Sequence, residues 1–318
     1  MVKTQTYTKI NTLYKRYQNL GKVTLPNPKW KVFQNKIIMG EYSDEHMEYI
    51  KGLMYDCFSK IDGTNTKIVY YPSTGECFCS GKTDNANIVG TGQKAFIEAI
   101  IERIRPDLAR LFPAEMAKYV PNVDKNGNPQ YYYPEGDVYL GDCVYVRGDA
   151  VSKIECPGDY AVEMVEAPVY IYGEFYGKKI QAGGNYDKDN NRFAVFDICV
   201  QGWYVPINML FDYAKKLNLD VAPYLGTMSI DEAEELVKQG FKTHVPNPSN
   251  PDYLEEGIVA RPIVPIKDPR GKRIIVKIKH CDYAELDAAI KQVGVEEYNK
   301  FNAWYKEHRN EIEASSQQ

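Results

Sequence analysis

Residues 58–80 read FSKIDGTNTKIVYYPSTGECFCS and contain a lysine, an Asp-Gly pair and two strand-like arms. The arms flank the turn-forming cluster Pro72-Ser73-Thr74-Gly75, which predicts a β-hairpin. Lys60 stands just before the first arm, two residues ahead of Asp62-Gly63. This spacing is a weak signal by itself, because a surface lysine before a turn is a common arrangement. Later segments of the chain change that balance.

The whole chain has the composition of a soluble protein. Its 318 residues are 44% hydrophobic and 26% charged, with a formal net charge of −4. This size suits one large domain or two modest ones. The 7 cysteines, an odd number and sparse, fit a reducing compartment. No window has the apolar length of a signal peptide or membrane helix. We therefore expect a cytoplasmic protein (in the host cell if the source is viral) with no membrane partner.

The periodicity of apolar residues predicts an α+β fold with mainly antiparallel sheet, not a regular alternation of strand and helix. Ser229 and Glu232 have the spacing of a helix-starting capping box, and Gly240 follows as a stop. Helices are expected at 43–55, 92–112, 206–217 and 229–239, and strands at 257–264 and 273–279.

Two strand-like segments carry a carboxylate in an apolar setting. In residues 169–176, VYIYGEFY, Glu174 falls on the face opposite the aliphatic side chains. It is equally well read as a solvated strand residue or as a functional group. Residues 193–200, FAVFDICV, are apolar on both faces around Asp197. A carboxylate placed there must be paired or hydrogen-bonded.

Two further segments bring acidic and basic groups to strand positions. Residues 254–259, LEEGIV, place Glu256 and its acidic neighbour at the start of an apolar strand. Residues 273–279, RIIVKIK, put Lys277 and Lys279 on one strand face. Two lysines side by side repel each other unless an anion lies between or above them. A phosphate is the anion that this pattern favours.

Taken in chain order, these segments resemble the motif set of the covalent nucleotidyltransferase superfamily, which comprises ATP-dependent RNA and DNA ligases and mRNA capping enzymes. The matching motifs are Lys60-Ile61-Asp62-Gly63, Gly173-Glu174, Phe196-Asp197, Glu256-Gly257-Ile258-Val259 and Lys277-Ile278-Lys279. Within the superfamily, the first and last motifs look most like those of phage-type RNA ligases. The resemblance implies an antiparallel-sheet nucleotidyltransferase (adenylyltransferase) domain.

The resemblance also implies the catalytic residues. Lys60 would attack the α-phosphate of ATP, form a lysyl-AMP phosphoramidate and release pyrophosphate. An ammonium cannot attack, so burial and neighbouring positive charge must favour loss of its proton. Lys277, Lys279 and a divalent cation, Mg²⁺ or Mn²⁺, would supply that charge. The same two lysines would hold the α-phosphate as negative charge builds up in the transition state.

Other motif residues would bind the nucleotide and the metal. The resemblance assigns Glu256 mainly to the metal and Glu174 to the ribose or the metal, in keeping with the oxygen ligands that Mg²⁺ prefers. Phe196 would stack on adenine, against the alternative of core packing. Asp62 would position the loop and the 3′ side of the nucleotide, and Gly63 would permit close backbone approach.

The chain departs from its apparent relatives at two positions. Lys82 stands where RNA ligases of this kind tend to have arginine for contact with the 5′-phosphate or the nucleotide. Lysine keeps the charge but loses the bidentate fork of arginine. Ser59 stands where several relatives have glutamate, so adenine-edge recognition is not assigned.

The position of the last motif separates the ligase classes. DNA ligases and capping enzymes usually continue into an OB-fold after the final lysine motif, whereas this chain ends soon after Lys279. The remaining residues have helical periodicity. We expect a nucleotidyltransferase domain over residues 1–280, including an N-terminal extension. A short helical tail without an OB-fold is expected over 281–318.

The resemblance implies an ATP-dependent RNA ligase that seals 5′-phosphate and 3′-hydroxyl ends of RNA or of a DNA-containing duplex, and we expect it to act as a monomer. Lys178-Lys179 and the segment Lys267 to Arg273 are candidate strand contacts, although such runs are more often solvated loops. Two alternatives stay open. One is a minimal DNA nick ligase, and the other is a non-catalytic nucleotide- or nucleic-acid-binding module on the same scaffold.

Overall fold

The computed structural model of the protein describes residues 7–81, 91–124, 126, 128–132, 138–139, 144–147, 150–153, 161–269 and 271–314. The helices of this part are α1 (Met47–Ile50), α2 (Thr91–Leu111), α3 (Ile207–Lys216), α4 (Ile230–Gln239), α5 (His280–Val293) and α6 (Val295–Ala314). The strands are β1 (Asn11–Thr12), β2 (Tyr14–Arg16), β3 (Ile37–Tyr42), β4 (Tyr55–Ser59), β5 (Thr64–Tyr70), β6 (Cys77–Gly81), β7 (Tyr119–Pro121), β8 (Tyr131–Tyr132), β9 (Val138–Tyr139), β10 (Val144–Arg147), β11 (Ala150–Lys153), β12 (Ala161–Val162), β13 (Met164–Glu166), β14 (Val169–Gly177), β15 (Asn191–Val200), β16 (Trp203–Tyr204), β17 (Asp220–Val221), β18 (Tyr224–Met228), β19 (Gly257–Pro262) and β20 (Val276–Lys279).

The chain forms two compact units, each built from separate stretches of sequence. The first unit contains Met1–Tyr7, Gly63–Tyr176 and Asn190–Val221. The second unit contains Thr8–Asp62, Gly177–Asp189 and Ala222–Gln318. Within the described residues, none of the helices has the length and apolar character needed to span a bilayer. The division into residues 1–280 and 281–318 stays a prediction.

The first unit is built around a mostly antiparallel sheet in the order β16-β15-β14-β5-β6, with β17 pairing parallel to β15. Strands β5 and β6 form the predicted hairpin, from Thr66 opposite Gly81 to Tyr70 opposite Cys77. Helix α2 packs on these two strands. Pro106 lies inside α2 without ending it. The smaller sheets of this unit are β11-β10-β9, β12-β8 and β13-β7.

The second unit is built around a five-stranded sheet in the order β1-β20-β19-β4-β18. Side chains that alternate along its strands, such as Cys57, Ile258 and Ile278, are buried in the hydrophobic core of the unit. The intervening positions of β4, β19 and β20 therefore lie on the other face of the sheet. That face carries the two lysines of β20, and Lys60 follows directly after β4.

The two ends of the chain pack into one aromatic core within the second unit. Tyr17 and Phe33, from the N-terminal segment, contact Phe301 and Tyr305 of α6. The rings of Phe33 and Phe301 are stacked, with centroids 4.6 Å apart. Aromatic pairs of this kind contribute beyond their buried area. The described residues before Lys60 thus include core elements of the unit that carries the lysine motifs.

Most of the predicted elements are confirmed, and one is wrong. Helix α4 begins with the predicted capping box of Ser229 and Glu232. The helix expected over residues 43–55 is only the single turn α1, and the chain enters β4 at Tyr55. Tyr55 is fully buried and pairs with β18 on one side and β19 on the other. Sheet burial outweighs the local helical pattern here.

Replacement of Phe301 by alanine should destabilise the second unit by about 3–5 kcal/mol, because it removes a fully buried ring from a packed core. Val295→Ala is the control in the same helix, since Val295 is 65% exposed; it should change stability by less than about 0.5 kcal/mol. Urea unfolding of both variants measures the difference. Equal losses would show that α6 does not share a tight core with the N-terminal segment.

Candidate active site

Three adjacent strands of the second unit bring the predicted catalytic residues together. Lys60 leaves the end of β4, and its backbone N–H donates to the carbonyl of Gly257, at 2.9 Å. Lys279, at the end of β20, pairs across from the same glycine. Lys277 lies two residues earlier on β20, opposite Val259. The antiparallel registers of β4, β19 and β20 therefore set the spacing of all three lysines.

The carboxylate of Glu256 lies between two of these ammonium groups. Its Oε2 accepts a hydrogen bond from Nζ of Lys60, and its Oε1 lies 2.5 Å from Nζ of Lys279. The side chains of Lys60, Glu256 and Lys279 are 22%, 16% and 27% exposed. The structure thus places the carboxylate of Glu256 beside Lys279, and the phosphate expected near the two strand lysines stays a prediction.

The ion pairs keep both partners charged. Burial alone would raise the pKa of Glu256, but the nearby ammonium groups of Lys60 and Lys279 outweigh burial and hold that pKa below its ordinary value. Burial alone would lower the pKa of Lys279, but the hydrogen bond and charge of Glu256 raise it above its ordinary value. Opposite charges at short distance favour the ionised form of each group.

Gly257 allows Glu256 to be placed in this way. Its φ of +154° is one that other residues rarely adopt. A Cβ at this position would lie 1.9 Å from the carbonyl oxygen of Ile278 on the neighbouring strand. A side chain at residue 257 would therefore force β19 and β20 apart, and with them Glu256 and Lys279.

Asp62 is held by the segment Gly177–Asp189 of the same unit. Its backbone N–H donates to the hydroxyl of Tyr186, at 3.2 Å. One of its carboxylate oxygens accepts from the backbone N–H of Ala182, at 3.3 Å. The Tyr186 hydroxyl in turn donates to Glu255, the residue before Glu256. Asp62 thus contacts structural partners on both its backbone and its side chain.

The same face of the second-unit sheet carries a buried cation that motif reasoning missed. Arg261 is 9% exposed, and its guanidinium lies 4.5 Å from the centre of the Phe58 ring. Arg261 of β19 lies opposite Asp56 of β4 in the strand register. Asp56 accepts hydrogen bonds from the hydroxyls of Tyr224 and Thr227. Arg261 adds positive charge to the face that carries Lys60. The only sequence signal for this placement is strand alternation, because residues two apart, such as Val259 and Arg261, lie on the same face of a strand.

Two of the predicted ligand-binding residues lie in the first unit and meet at β14. Glu174 is half-buried in β14 and pairs with Asn65 of β5. Gly63 precedes β5, and a Cβ there would lie 2.5 Å from the carbonyl oxygen of Phe175 and 2.9 Å from Cγ of Glu174. Any side chain at residue 63 would collide with the backbone of β14. The close backbone approach expected at Gly63 is therefore seen between Gly63 and β14, the strand that carries Glu174.

Phe196 lies in β15 of the first unit, half-buried beside Tyr7. The two rings meet edge to face, with centroids 5.2 Å apart. The Tyr7 hydroxyl donates to the carboxylate of Asp197, at 2.9 Å. This hydrogen bond confirms that the buried Asp197 has a partner. Tyr7 was missed because nothing in the sequence distinguishes it from the other tyrosines. Lys82 lies outside the described residues.

Sequence comparison with known families gives a direct result. The sequence profile described as RNA ligase matches residues 57–279, which contain the whole motif series. The chain belongs to the RNA ligase family. The match confirms the resemblance drawn from the motifs. No curated protein matches the chain in sequence.

Solved structures similar to this RNA ligase family member include RNA ligases from Naegleria gruberi. A mutant RNA ligase with AMP and Mn is 12% identical, with a TM-score of 0.45, and the alignment covers 89% of this chain and 60% of that one. The same ligase with PPi is 14% identical, with a TM-score of 0.45, and the alignment covers 88% of this chain and 62% of that one. The chain thus spans less than two thirds of the length of these ligases.

Glu256→Gln should remove about 2 kcal/mol of stability at neutral pH, because both lysines lose a charged hydrogen-bond partner. The folded state lowers the pKa of Glu256 from 4.5 and raises that of Lys279 from 10.5. The stability due to this pair is therefore fully present from about pH 5 to about pH 10. It is lost as the pH falls through the folded-state pKa of Glu256 or rises through that of Lys279.

Urea unfolding of the wild type and Glu256→Gln across this pH range measures the effect. The difference in unfolding free energy should be constant on the plateau and shrink at both ends. Asp252→Asn, which breaks the exposed pair with Lys242, is the control and should cost much less. A Glu256→Gln loss no larger than that of the control would mean that the carboxylate does not bridge the lysines.

Proposed function

We propose that this chain is an ATP-dependent RNA ligase that joins a 5′-phosphate to a 3′-hydroxyl and releases AMP. The observation that carries the proposal is the contact of one carboxylate, Glu256, with both Lys60 and Lys279, inside the region that matches the RNA ligase family. A lysine nucleophile next to a second cation and a potential metal ligand is what nucleotidyl transfer requires.

In the first step, Nζ of Lys60 attacks the α-phosphorus of ATP. An N–P bond forms, the bond from that phosphorus to the bridging oxygen breaks, and pyrophosphate leaves with the electron pair. Lys60 has to lose a proton before it attacks, and in the structure its Nζ is held in an ion pair with Glu256. Glu256 must therefore release Lys60 as ATP binds. Lys277 and Lys279 would stabilise the charge that develops on the α-phosphate.

In the second step, an oxygen of the RNA 5′-phosphate attacks the phosphorus of lysyl-AMP. The N–P bond breaks, and Lys60 leaves as an amine and regains a proton. In the third step, the 3′-hydroxyl of the other end attacks the activated 5′-phosphorus, loses its proton and expels AMP. The ammonium groups of Lys277 and Lys279 can serve both later transfers, because each step develops negative charge at a phosphate.

Glu256 also fits a divalent cation, Mg²⁺ or Mn²⁺. It is ionised, it lies beside the nucleophile, and Mg²⁺ is commonly bound through one or two carboxylates together with phosphate oxygens and waters. Such a cation would supply positive charge for the triphosphate.

The remaining motif residues keep their proposed roles. Glu174 would bind the ribose or the metal, and Phe196 would stack on adenine. Asp62 would position its loop and the 3′ side of the nucleotide, and Gly63 allows close packing against β14 of its own unit. Lys82 is proposed to contact the 5′-phosphate or the nucleotide through its charge.

Two basic segments of the second unit are proposed contacts for the RNA backbone. Lys178 and Lys179 are exposed, and Lys267 pairs with Arg273 at the base of a tight turn. Asp268 fixes that turn by accepting from the backbone N–H of Lys272, at 2.8 Å. Lysine and arginine side chains presented in this way suit the phosphate backbone and not individual bases.

Incubation with α-labelled ATP and Mg²⁺, followed by denaturing electrophoresis, tests the first step. Label should stay on the wild-type chain because the N–P bond is covalent, and Lys60→Ala should abolish it. Lys300→Ala, at an exposed lysine of α6, is the control and should be labelled normally. Absence of label from the wild type, or label on Lys60→Ala, would refute the proposed function.

A further inference from the structure

A network of hydrogen bonds links the segment Lys60–Asp62, here called the nucleophile segment, to Glu255, the residue before Glu256. The N–H of Asp62 can only donate, so the Tyr186 oxygen accepts it, at 3.2 Å. The Tyr186 hydroxyl proton then goes to Oε1 of Glu255, at 2.7 Å. The other oxygen of Glu255 accepts from the hydroxyl of Thr243, at 2.9 Å. Each donor in this network faces an acceptor.

Burial makes this arrangement costly to change. Tyr186 is 1% exposed and Glu255 is 2% exposed. Burial raises the pKa of the Glu255 carboxyl, while hydrogen bonds from Tyr186 and Thr243 oppose that effect. A buried group that loses its partner cannot turn to water instead. The network therefore favours one geometry at Asp62.

Tyr186 is itself fixed on its backbone and its ring. Its carbonyl accepts from the N–H of Ser249, at 3.0 Å. The carbonyl of the preceding residue, Asn185, accepts from the N–H of Asn250, at 2.9 Å. The ring packs edge to face on Tyr253, with centroids 5.2 Å apart. These contacts hold the tyrosine independently of Asp62, so its hydroxyl can act as a fixed point for the nucleophile segment.

We propose that Tyr186 is a positioning residue for the reaction of Lys60: supported by Glu255, its hydroxyl fixes the backbone at Asp62 and so restricts the directions that the Lys60 side chain can take. This inference rests on the proposed function. Lys60 is held on one side by the hydrogen bond of its own N–H to Gly257 and, two residues later, by Tyr186. Loss of the second restraint lets the amine sample unproductive directions, which lowers the rate of attack. ATP binding should change little, because the Asp62 carboxylate keeps its contact with the backbone N–H of Ala182.

Tyr186→Phe removes only the hydroxyl oxygen and is the direct test. Tyr14→Phe is the matched control, because the Tyr14 hydroxyl donates to another buried carboxylate of the same unit, Glu234, at 2.8 Å. Both variants lose a hydrogen bond to a buried carboxylate, and Tyr186→Phe also loses the bond from the Asp62 N–H. Both should therefore lower the melting temperature, Tyr186→Phe by more. Only Tyr186→Phe should disturb the nucleophile segment.

The readouts are single-turnover formation of labelled lysyl-AMP over a range of ATP concentrations, and hydrogen exchange of peptides that contain Asp62. For Tyr186→Phe we expect the rate at saturating ATP to fall at least about tenfold, the ATP concentration at half-maximal rate to stay within about twofold, and exchange at the Asp62 amide to accelerate. Tyr14→Phe should match the wild type in all three.

Variants of Glu255 provide a second test of the positioning role if Tyr186→Phe folds poorly. Glu255→Gln keeps an oxygen that can accept from Tyr186 and should retain more of the adenylylation rate than Glu255→Ala. Equal rates and equal Asp62 exchange in the wild type and Tyr186→Phe would overturn the positioning role. A wild type that forms no lysyl-AMP would overturn the proposed function and this inference with it, so the two failures are distinguishable.

Discussion

One carboxylate between two ammonium groups is the constraint on which the second unit depends. Glu256 forms ion pairs with both Lys60 and Lys279, and without it these two partly buried lysines would repel each other. The bridge also selects a register. A shift of one residue in β20 would turn Lys279 to the opposite face and bury a charge in the core.

The apolar face of the same sheet keeps this register in place. Ile258 and Ile278 pair across β19 and β20 and are buried in the core, which fixes the lysines on the other face. Strand β1 pairs in parallel with β20 at Lys277, and α6 packs on the N-terminal aromatic segment. Both ends of the chain thus support the strands that carry the candidate site.

The sequence was most informative where local patterns and the fold agree. The hairpin after Gly63, helix α2 and the Ser229 capping box were predictable because each depends on nearby residues. The helix expected over residues 43–55 failed at Tyr55, where pairing with two strands decides the outcome. The sequence also predicted Lys60, Glu256 and Lys279 as site residues from their residue types and their order along the chain. It did not predict that Glu256 forms ion pairs with both lysines.

Contacts between residues distant in sequence were beyond the reach of pattern reasoning. Tyr186 has no motif around it, and its role depends on Glu255 and Asp62 arriving from other segments. Arg261 could be placed on a strand face, but its packing against Phe58 follows from strand register. The resemblance singled out Glu256 of the adjacent pair at residues 255–256, but only the structure shows that Glu255 is the buried hydrogen-bond acceptor and that Glu256 contacts the lysines.

The central claim is the proposed role of Lys60 as the lysine that becomes covalently bound to AMP. The most direct measurement is peptide mapping by mass spectrometry after the chain has reacted with ATP and Mg²⁺ and been denatured. The account predicts AMP on the peptide that contains Lys60 and on no other. AMP attached to Lys277 or Lys279, with Lys60 unmodified, would contradict it.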